Sequence, residues 1–161
     1  MSDPFNIGKA RSERARAQRR QTAEILGIDE AYLTRMVHFF VARVRADRRF
    51  SRFYAVEDPE HRARQVDRMI SFWKSVALET GDYTGDLIEA HRHLRGVRRE
   101  DFDRWLALFR ATLDETAPTP EAARYLMIRA ERVARKLETA ILGGCEDTAQ
   151  PPRHGRGNGQ S

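Results

Sequence analysis

The sequence predicts an all-α protein, and three observations carry that prediction. Apolar residues recur every three or four positions through most of the 161 residues, which is the spacing of one helix face. No segment alternates apolar and polar residues with the period of two that is typical of a half-buried strand. No Asn-Gly or Asp-Gly turn stands between two β-branched runs, so the sequence contains no hairpin signal.

Composition limits the class of protein. With 40% hydrophobic and 33% charged residues, the chain is expected to form one domain with a highly charged surface. No apolar run approaches the roughly 20 residues that span a bilayer, and there is no signal-peptide apolar region, so we expect no membrane contact and a cytoplasmic location. The single cysteine, Cys145, excludes an internal disulfide framework and a cysteine-rich metal site.

Positive charge is concentrated at the N-terminus. Residues 1–20 carry six basic side chains and two acidic ones, while the whole chain has a net charge of +5. We therefore separate a basic N-terminal arm, residues 1–22, which is partly helical. A solvated helix is the simpler interpretation of this arm, and contact with an anionic surface is the alternative. The arm has no aromatic residue among its basic ones to stack on bases, which argues against nucleic acid as a partner.

The first two predicted helices are separated by Gly27. The first extends from Lys9 to Leu26, and Asp29 is expected to cap the second. Four apolar residues of the second helix share one buried face, which Val41 flanks, and an aromatic corner at Phe53 and Tyr54 follows. The four are Leu33, Val37, Phe40 and Val44.

The third helix is expected to begin at Asp58-Pro59-Glu60 and to close at Thr80-Gly81. Its apolar face contains Met69 and Trp73, with Gln65 one turn before Met69 on the same side. The remaining apolar positions of that face are Val66, Ile70, Val76 and Ala77.

A short helix through Leu87 and Ile88 precedes two more long helices. The first of these carries Phe102, Trp105, Leu106, Phe109 and Leu113 on one face, and Pro118 and Pro120 separate it from the last helix. Gly143-Gly144 ends the last helix. Residues 145–161, rich in Pro, Gly, Gln and Asn, are expected to form a disordered tail, which leaves a domain of residues 23–144.

His91 is the candidate for metal chemistry. It follows Leu87 and Ile88 at spacings of four and three, so it shares their inward face, whereas His93 is rotated by about 200° and looks outward. From this pattern alone, a hydrogen-bonded core histidine is the commoner outcome and a ligand to a metal or heme iron is the alternative. The carboxylates of Asp101 and Asp103 are interpreted as a solvated face and first-turn charges.

Three strings of the sequence together resemble the group III truncated hemoglobins. They are FFVARVRADRRFSRFY at 39–54, MISFWKSVALETGDYTGDLIEAH at 69–91 and DFDRWLALF at 101–109. The most specific parts are a Phe-Trp pair followed by Gly-x-Tyr-x-Gly, and a histidine fourteen residues before a tryptophan. The resemblance extends from about residue 23 to residue 142.

The resemblance implies a truncated globin fold, a two-over-two helical sandwich that encloses heme b. By position, His91 corresponds to the proximal iron ligand, and Trp105 to a heme-pocket tryptophan whose indole N–H can donate a hydrogen bond. The remaining cofactor-binding positions are Phe40, Tyr54, Gln65, Met69 and Trp73; for Phe40, Tyr54, Met69 and Trp73, core packing is the alternative to heme contact.

On the side of the heme where a gas ligand would bind, the sequence departs from the family pattern at two positions. The family usually has a tyrosine after a phenylalanine where this chain has Phe40-Val41, and often a histidine where it has Gln65. The distal ligand pocket is therefore expected to contain Val41, Gln65, Met69 and Trp105. Because valine donates no hydrogen bond, we expect weaker retention of dioxygen than in a relative with the tyrosine.

The function implied is reversible binding of dioxygen or another diatomic gas, such as nitric oxide or carbon monoxide, at the His91-ligated iron. Nitric oxide detoxification and peroxidase-like redox chemistry are both open to such a heme, and either would involve an unidentified electron donor or reductase. A monomer or weak homodimer is expected. The alternative is a globin-derived helical interaction module that does not bind heme.

Overall fold

The computed structural model describes residues 4–54, 58–81, 83 and 85–143, and every regular element within those residues is helical. The predicted tail, residues 145–161, and Cys145 lie outside the described residues. The described residues form six α-helices, with a short 3₁₀ helix, Ser51–Tyr54, after the second. They are α1 (Pro4–Ile25), α2 (Glu30–Ala46), α3 (Pro59–Leu78), α4 (Leu87–Arg92), α5 (Arg99–Thr116) and α6 (Pro120–Leu142).

The helix starts follow the predicted capping residues. The side chain of Asp29 accepts a hydrogen bond from the backbone N–H of Tyr32, and that of Asp58 accepts one from His61, both at 2.7 Å. The end of α3 differs from the expectation. The helix stops at Leu78, and Glu79 adopts a left-handed conformation with φ of 55°, so Glu79 makes the turn that was assigned to Thr80-Gly81.

Two helix pairs form the body of the protein. α2 packs on α3, α5 packs on α6, and α2 also packs on α5, so that the pairs make one continuous core. The four predicted face residues of α2 are buried in it. The short helix α4 packs on α6. The all-α, two-layer arrangement that was predicted is confirmed.

The N-terminal helix α1 is added outside the two pairs and packs on α3. Arg20 donates hydrogen bonds to the carbonyl oxygens of Leu78 and Glu79, and Arg19 pairs with the Glu79 carboxylate at 2.6 Å. α1 therefore caps the C-terminal end of α3, whose carbonyls have no partner within the helix. The helix continues through the predicted boundary between residues 22 and 23. None of the described helices has the length and apolar character that crossing a bilayer requires.

Candidate functional site

A cavity of about 230 Å³ lies among α3, α4, α5 and α6 and is bordered by the chain that follows α2. Most of its lining side chains are apolar, and a few polar ones are distributed among them, which is the usual composition of a ligand pocket. The polar or ionisable side chains in the lining are Tyr54, Gln65, Arg68, Tyr83, His91, His93, Asp101 and Trp105.

His91 lies on α4 and lines this cavity. The helix is only six residues long, and its start is fixed by Asp86, whose carboxylate accepts from the backbone N–H groups of Ile88 and Glu89. The Nδ1 atom of His91 lies 2.7 Å from the carbonyl oxygen of Leu87, one turn earlier. Because a carbonyl oxygen only accepts, Nδ1 must carry the hydrogen, and in the neutral ring Nε2 keeps its lone pair.

The surroundings of His91 favour the neutral form of its ring. Burial is the main influence and lowers its pKa below the ordinary histidine value; the hydrogen bond to Leu87 acts in the opposite direction, and the nearby His93 lowers the pKa further. His91 is therefore neutral around pH 7. A neutral imidazole with one nitrogen bonded to a backbone acceptor and the other bare is the form that binds a metal.

The segment before α4 is fixed to α3 through Tyr83. Its backbone N–H donates to the hydroxyl of Ser75 at 2.9 Å, and its ring packs edge-on against Phe72 with centroids 5.3 Å apart. Gly85 lies against the same ring, since a Cβ built there would be 3.0 Å from the Tyr83 ring carbon Cζ. A side chain at residue 85 would displace the ring, which explains the second glycine of the Gly-x-Tyr-x-Gly motif.

Aromatic rings form the cavity wall at α5. Trp105 lines the cavity and is stacked parallel to Phe109, with centroids 5.8 Å apart, and Phe109 is in turn stacked on Trp73 at 4.8 Å. Phe40 meets Trp105 and Phe109 edge-on, at 5.3 and 5.2 Å. Such pairs each contribute about 0.5–1.5 kcal/mol beyond the area they bury. The orientation of Trp105 is therefore fixed by packing.

Most of the residues predicted for the site are brought together. The predicted residues that line the cavity are Tyr54, Gln65, Met69, Trp73, His91 and Trp105. Phe40 and Val41 are not among the lining residues. Phe40 is 1% exposed and supports Trp105 from within the core, and Val41 is half-buried against the core cluster.

Gln65 has a hydrogen-bond partner on its own helix that was not predicted from the sequence. Its amide nitrogen Nε2 lies 3.0 Å from Nε2 of His61, one turn earlier on α3. With the amide so placed, it donates to a His61 ring that carries no hydrogen on Nε2. One of the two amide hydrogens of Gln65 is therefore engaged on the helix itself, and the other is available to a ligand.

The interpretation of Asp101 as a solvated first-turn charge was wrong, whereas Asp103 is exposed as expected. Asp101 is 5% exposed, lines the cavity and forms a two-bond ion pair with Arg49, at 2.5 and 2.6 Å. Arg49 holds the pKa of this carboxyl below its ordinary value, while burial acts in the opposite direction. The missed signal was the run of arginines after α2, since a carboxylate can be buried when it is paired.

Arg68 on α3 and His93 just after α4 also border the cavity. His93 is exposed, as predicted from its rotation away from His91. Arg92 and Arg95, which are nearest to His91 in sequence, do not line the cavity, and Arg92 pairs with Glu89 at 2.8 Å. Within the described residues, no three His, Cys, Asp or Glu side chains are grouped as ligands of a metal ion.

Comparison with known proteins gives one relative in sequence and one in structure. The group 3 truncated hemoglobin ctb of Campylobacter jejuni is 24% identical over 118 residues, which cover 71% of this chain and 91% of that protein. The crystal structure of the group III truncated hemoglobin from Campylobacter jejuni superposes with a TM-score of 0.65 and 23% identity, over the same shares of the two chains. No protein-family model matches. The chain therefore has the fold of a truncated hemoglobin and resembles those of group III in sequence.

Proposed function

We propose that the cavity binds heme b and that Nε2 of His91 is the axial ligand of its iron. The observation that carries the proposal is the hydrogen bond from His91 Nδ1 to the Leu87 carbonyl oxygen, at the wall of a mostly apolar cavity. This bond leaves Nε2 as the basic nitrogen and fixes the plane of the ring. A histidine present only for packing would not need a ligand-sized space beside it.

The other lining residues fit the same group. Met69 and Trp73 of α3, together with Trp105 of α5, would contact the apolar macrocycle, and Tyr54 would close one edge. Arg68 and His93, which border the cavity, are the candidates to hold its carboxylates, whereas Arg92 and Arg95 do not line the cavity. Heme, when bound, supplies an iron that takes up a diatomic gas and exchanges electrons.

The ligand side would contain few hydrogen-bond donors. Trp105 has an indole N–H, and Gln65 has one amide hydrogen beyond the one that it donates to His61. Val41 has none. We therefore infer reversible binding of dioxygen, nitric oxide or carbon monoxide, with faster release of dioxygen than in a relative that has a tyrosine at residue 41.

Catalysis is a further part of the proposal. Nitric oxide detoxification or peroxidase-like turnover would need an electron donor to reduce the iron again. Arg68 and His93 are exposed at the border of the cavity, and we expect such a donor to approach there.

Hemin titration tests the proposal. Purified protein should develop an intense Soret band at one equivalent of hemin, and the band should be lost or strongly shifted in His91→Ala. His38→Ala is the control, because this histidine is exposed on α2 and does not line the cavity; it should keep the band. Added imidazole should restore a histidine-like spectrum to His91→Gly.

Two results would contradict the proposal. If the wild-type protein remains colourless with hemin, the helical interaction module that lacks heme becomes the better description. If His91→Ala gives the wild-type spectrum, heme binds through another residue.

A further inference from the structure

The structure points to Arg49 as a positioning residue that connects the two sides of the proposed heme site; this inference rests on the function proposed above. Arg49 lies in the corner between α2 and the 3₁₀ helix and is not among the cavity-lining residues. Its side chain bonds to two segments that are distant in sequence, one that follows His91 and one that begins the helix of Trp105.

The first bond is to the start of α5. Nε and Nη2 of Arg49 donate to the two carboxylate oxygens of Asp101, at 2.5 and 2.6 Å. The parallel geometry is the strong, directional form of an arginine–carboxylate pair. Asp101 also accepts from the backbone N–H of Arg98 at 2.8 Å, and so fixes the first turn of α5. Trp105 lies one turn later on the same helix face, and both residues line the cavity.

The second bond is to the segment that follows α4. Nη2 of Arg49 also donates to the carbonyl oxygen of Gly96 at 2.9 Å, and Arg52 donates to the same oxygen at 3.1 Å. Gly96 has φ of +70°, a left-handed conformation that glycine adopts more readily than other residues. The orientation of its carbonyl group therefore depends on a glycine at this position. This residue is five positions after His91.

One guanidinium therefore sets the separation between the chain after His91 and the first turn of the helix that carries Trp105. α4 has only six residues and cannot keep its own position by helical hydrogen bonds alone. We expect Arg49 to act through Gly96 on the placement of His91, and through Asp101 on that of Trp105. Lysine cannot reproduce this role, since its single ammonium lacks the planar fork that reaches both acceptors.

A matched control is present in the same corner. Arg104 of α5 pairs with Asp47 at 2.7 Å and so also joins the corner to α5, but it bonds to Asp47 and not to Gly96 or Asp101. Arg104→Gln removes an ion pair between the same two elements without touching the segment after α4. Any effect specific to Arg49→Gln then reports the bonds to Gly96 and Asp101.

The first measurement uses heme-free protein. Backbone amides of residues 93–98 should exchange with deuterium about tenfold to a hundredfold faster in Arg49→Gln than in wild type, as expected for loss of a charge-assisted hydrogen bond. Arg104→Gln should leave them near the wild-type rate, and Arg49→Lys should give an intermediate rate. Equal exchange in the two glutamine variants would overturn the inference. If Arg49→Gln does not fold, the same comparison is made with Arg49→Lys.

The second measurement uses hemin-loaded protein. Arg49→Gln should release hemin to a scavenger protein about tenfold to a hundredfold faster than wild type, the usual range when a partner that orients a metal ligand is removed. The ferrous iron–histidine stretching frequency should shift in Arg49→Gln and not in Arg104→Gln. An unchanged frequency and release rate would overturn the inference. Failure of the wild-type protein to bind hemin would instead refute the proposed function, and the exchange result would still decide whether Arg49 holds the segment.

Discussion

Two parts of the cavity wall are held by different forces. The aromatic wall consists of Trp73 and Trp105, which line the cavity, and of Phe40 and Phe109, which support them from the core; these interlocked rings come from three long helices. The α4 wall, defined as the described residues within 79–98, contains one six-residue helix. It is held by polar contacts from α1, α3 and the corner after α2, and by the partly buried side chains of Leu87, Ile88 and Val97. Apolar packing is shared among many atoms, whereas a polar contact is lost as a unit.

This difference predicts where the site opens first. None of the six residues of α4 is fully buried, whereas the rings of the aromatic wall belong to the core, so the α4 wall should fluctuate while the aromatic wall stays folded. For a ligand site this division is useful, because the wall that carries Trp105 stays rigid and the wall that carries His91 can move to admit a large cofactor.

Truncation of a ring in the aromatic wall should give the largest effect. Phe109 is fully buried and contacts three other rings, so Phe109→Ala should lower the free energy of unfolding by about 3–5 kcal/mol. Phe39→Ala is the control: this side chain is 46% exposed on α2, and its loss should cost less than about 0.5 kcal/mol. Urea denaturation of the heme-free proteins measures both values. A similar cost for the two variants would show that the aromatic wall is not the stable part.

A hydroxyl added at residue 41 tests whether this position can donate a hydrogen bond to bound dioxygen. Val41→Tyr should slow dioxygen dissociation about tenfold to a hundredfold, because a hydrogen bond to a polarised ligand is worth roughly 1.5–3 kcal/mol. Val41 is half-buried against the core cluster and does not line the cavity, so the longer tyrosine is needed to reach a ligand.

Val41→Phe separates the hydroxyl from the added ring. Flash photolysis or rapid mixing should give a slow rate for the tyrosine variant alone. If both variants slow dissociation equally, bulk and not hydrogen bonding is responsible, and if neither does, residue 41 does not face the ligand.

The same division explains what the sequence allowed us to predict. The aromatic wall consists of apolar residues at helical spacing, so periodicity alone located Trp73, Trp105 and Phe109 on inward faces, and capping residues located the helix starts. Periodicity does not distinguish residues that line a cavity from those one layer behind it. Phe40 lies on the buried face as predicted, yet it supports Trp105 from the core instead of lining the cavity.

The α4 wall was less predictable because its contacts join residues distant in sequence. Asp101 was assigned to solvent from its place in the first turn of a helix, a local rule that does not include Arg49, 52 residues earlier. Likewise, the end of α3 was assigned to a glycine, whereas Glu79 takes the left-handed position. There Glu79 gains partners from Arg19 and Arg20 of α1, and Gly81, with φ of 71°, makes a second left-handed turn two residues later.

Acid should act on the α4 wall through Asp101. Because Arg49 lowers the pKa of this carboxyl in the folded protein, the unfolded chain takes up the proton first as the pH falls. The stabilisation is therefore complete above the unfolded-state value of about 4 and is lost as the pH falls through the lower folded-state value. Asp101→Asn should be less stable than wild type at pH 7 and should lose less stability on acidification.

Unfolding midpoints in urea between about pH 3 and pH 7 measure this slope. Asp103→Asn, at an exposed position two residues later, should follow the wild-type curve. Parallel curves for wild type and Asp101→Asn would mean that the ion pair does not stabilise the fold.

The smallest predicted effect concerns the other end of the α4 wall. Ser75→Ala removes the hydroxyl that accepts the backbone N–H of Tyr83, and should lower global stability by only about 1 kcal/mol. Its local effect should be larger, since this bond ties the lead-in of α4 to α3. Amides of residues 83–92 should exchange faster than in wild type, while those of α5 and α6 keep their rates.

Ser71→Ala is the matched control, one turn earlier on α3 and without such a bond among the described residues. If Ser75→Ala accelerates exchange across the whole molecule to the same extent, then the two walls unfold together and do not differ in local stability. If acceleration stops at α4, the wall that carries His91 opens as a separate unit. A single hydroxyl on α3 would then control how often the proposed heme ligand leaves its place.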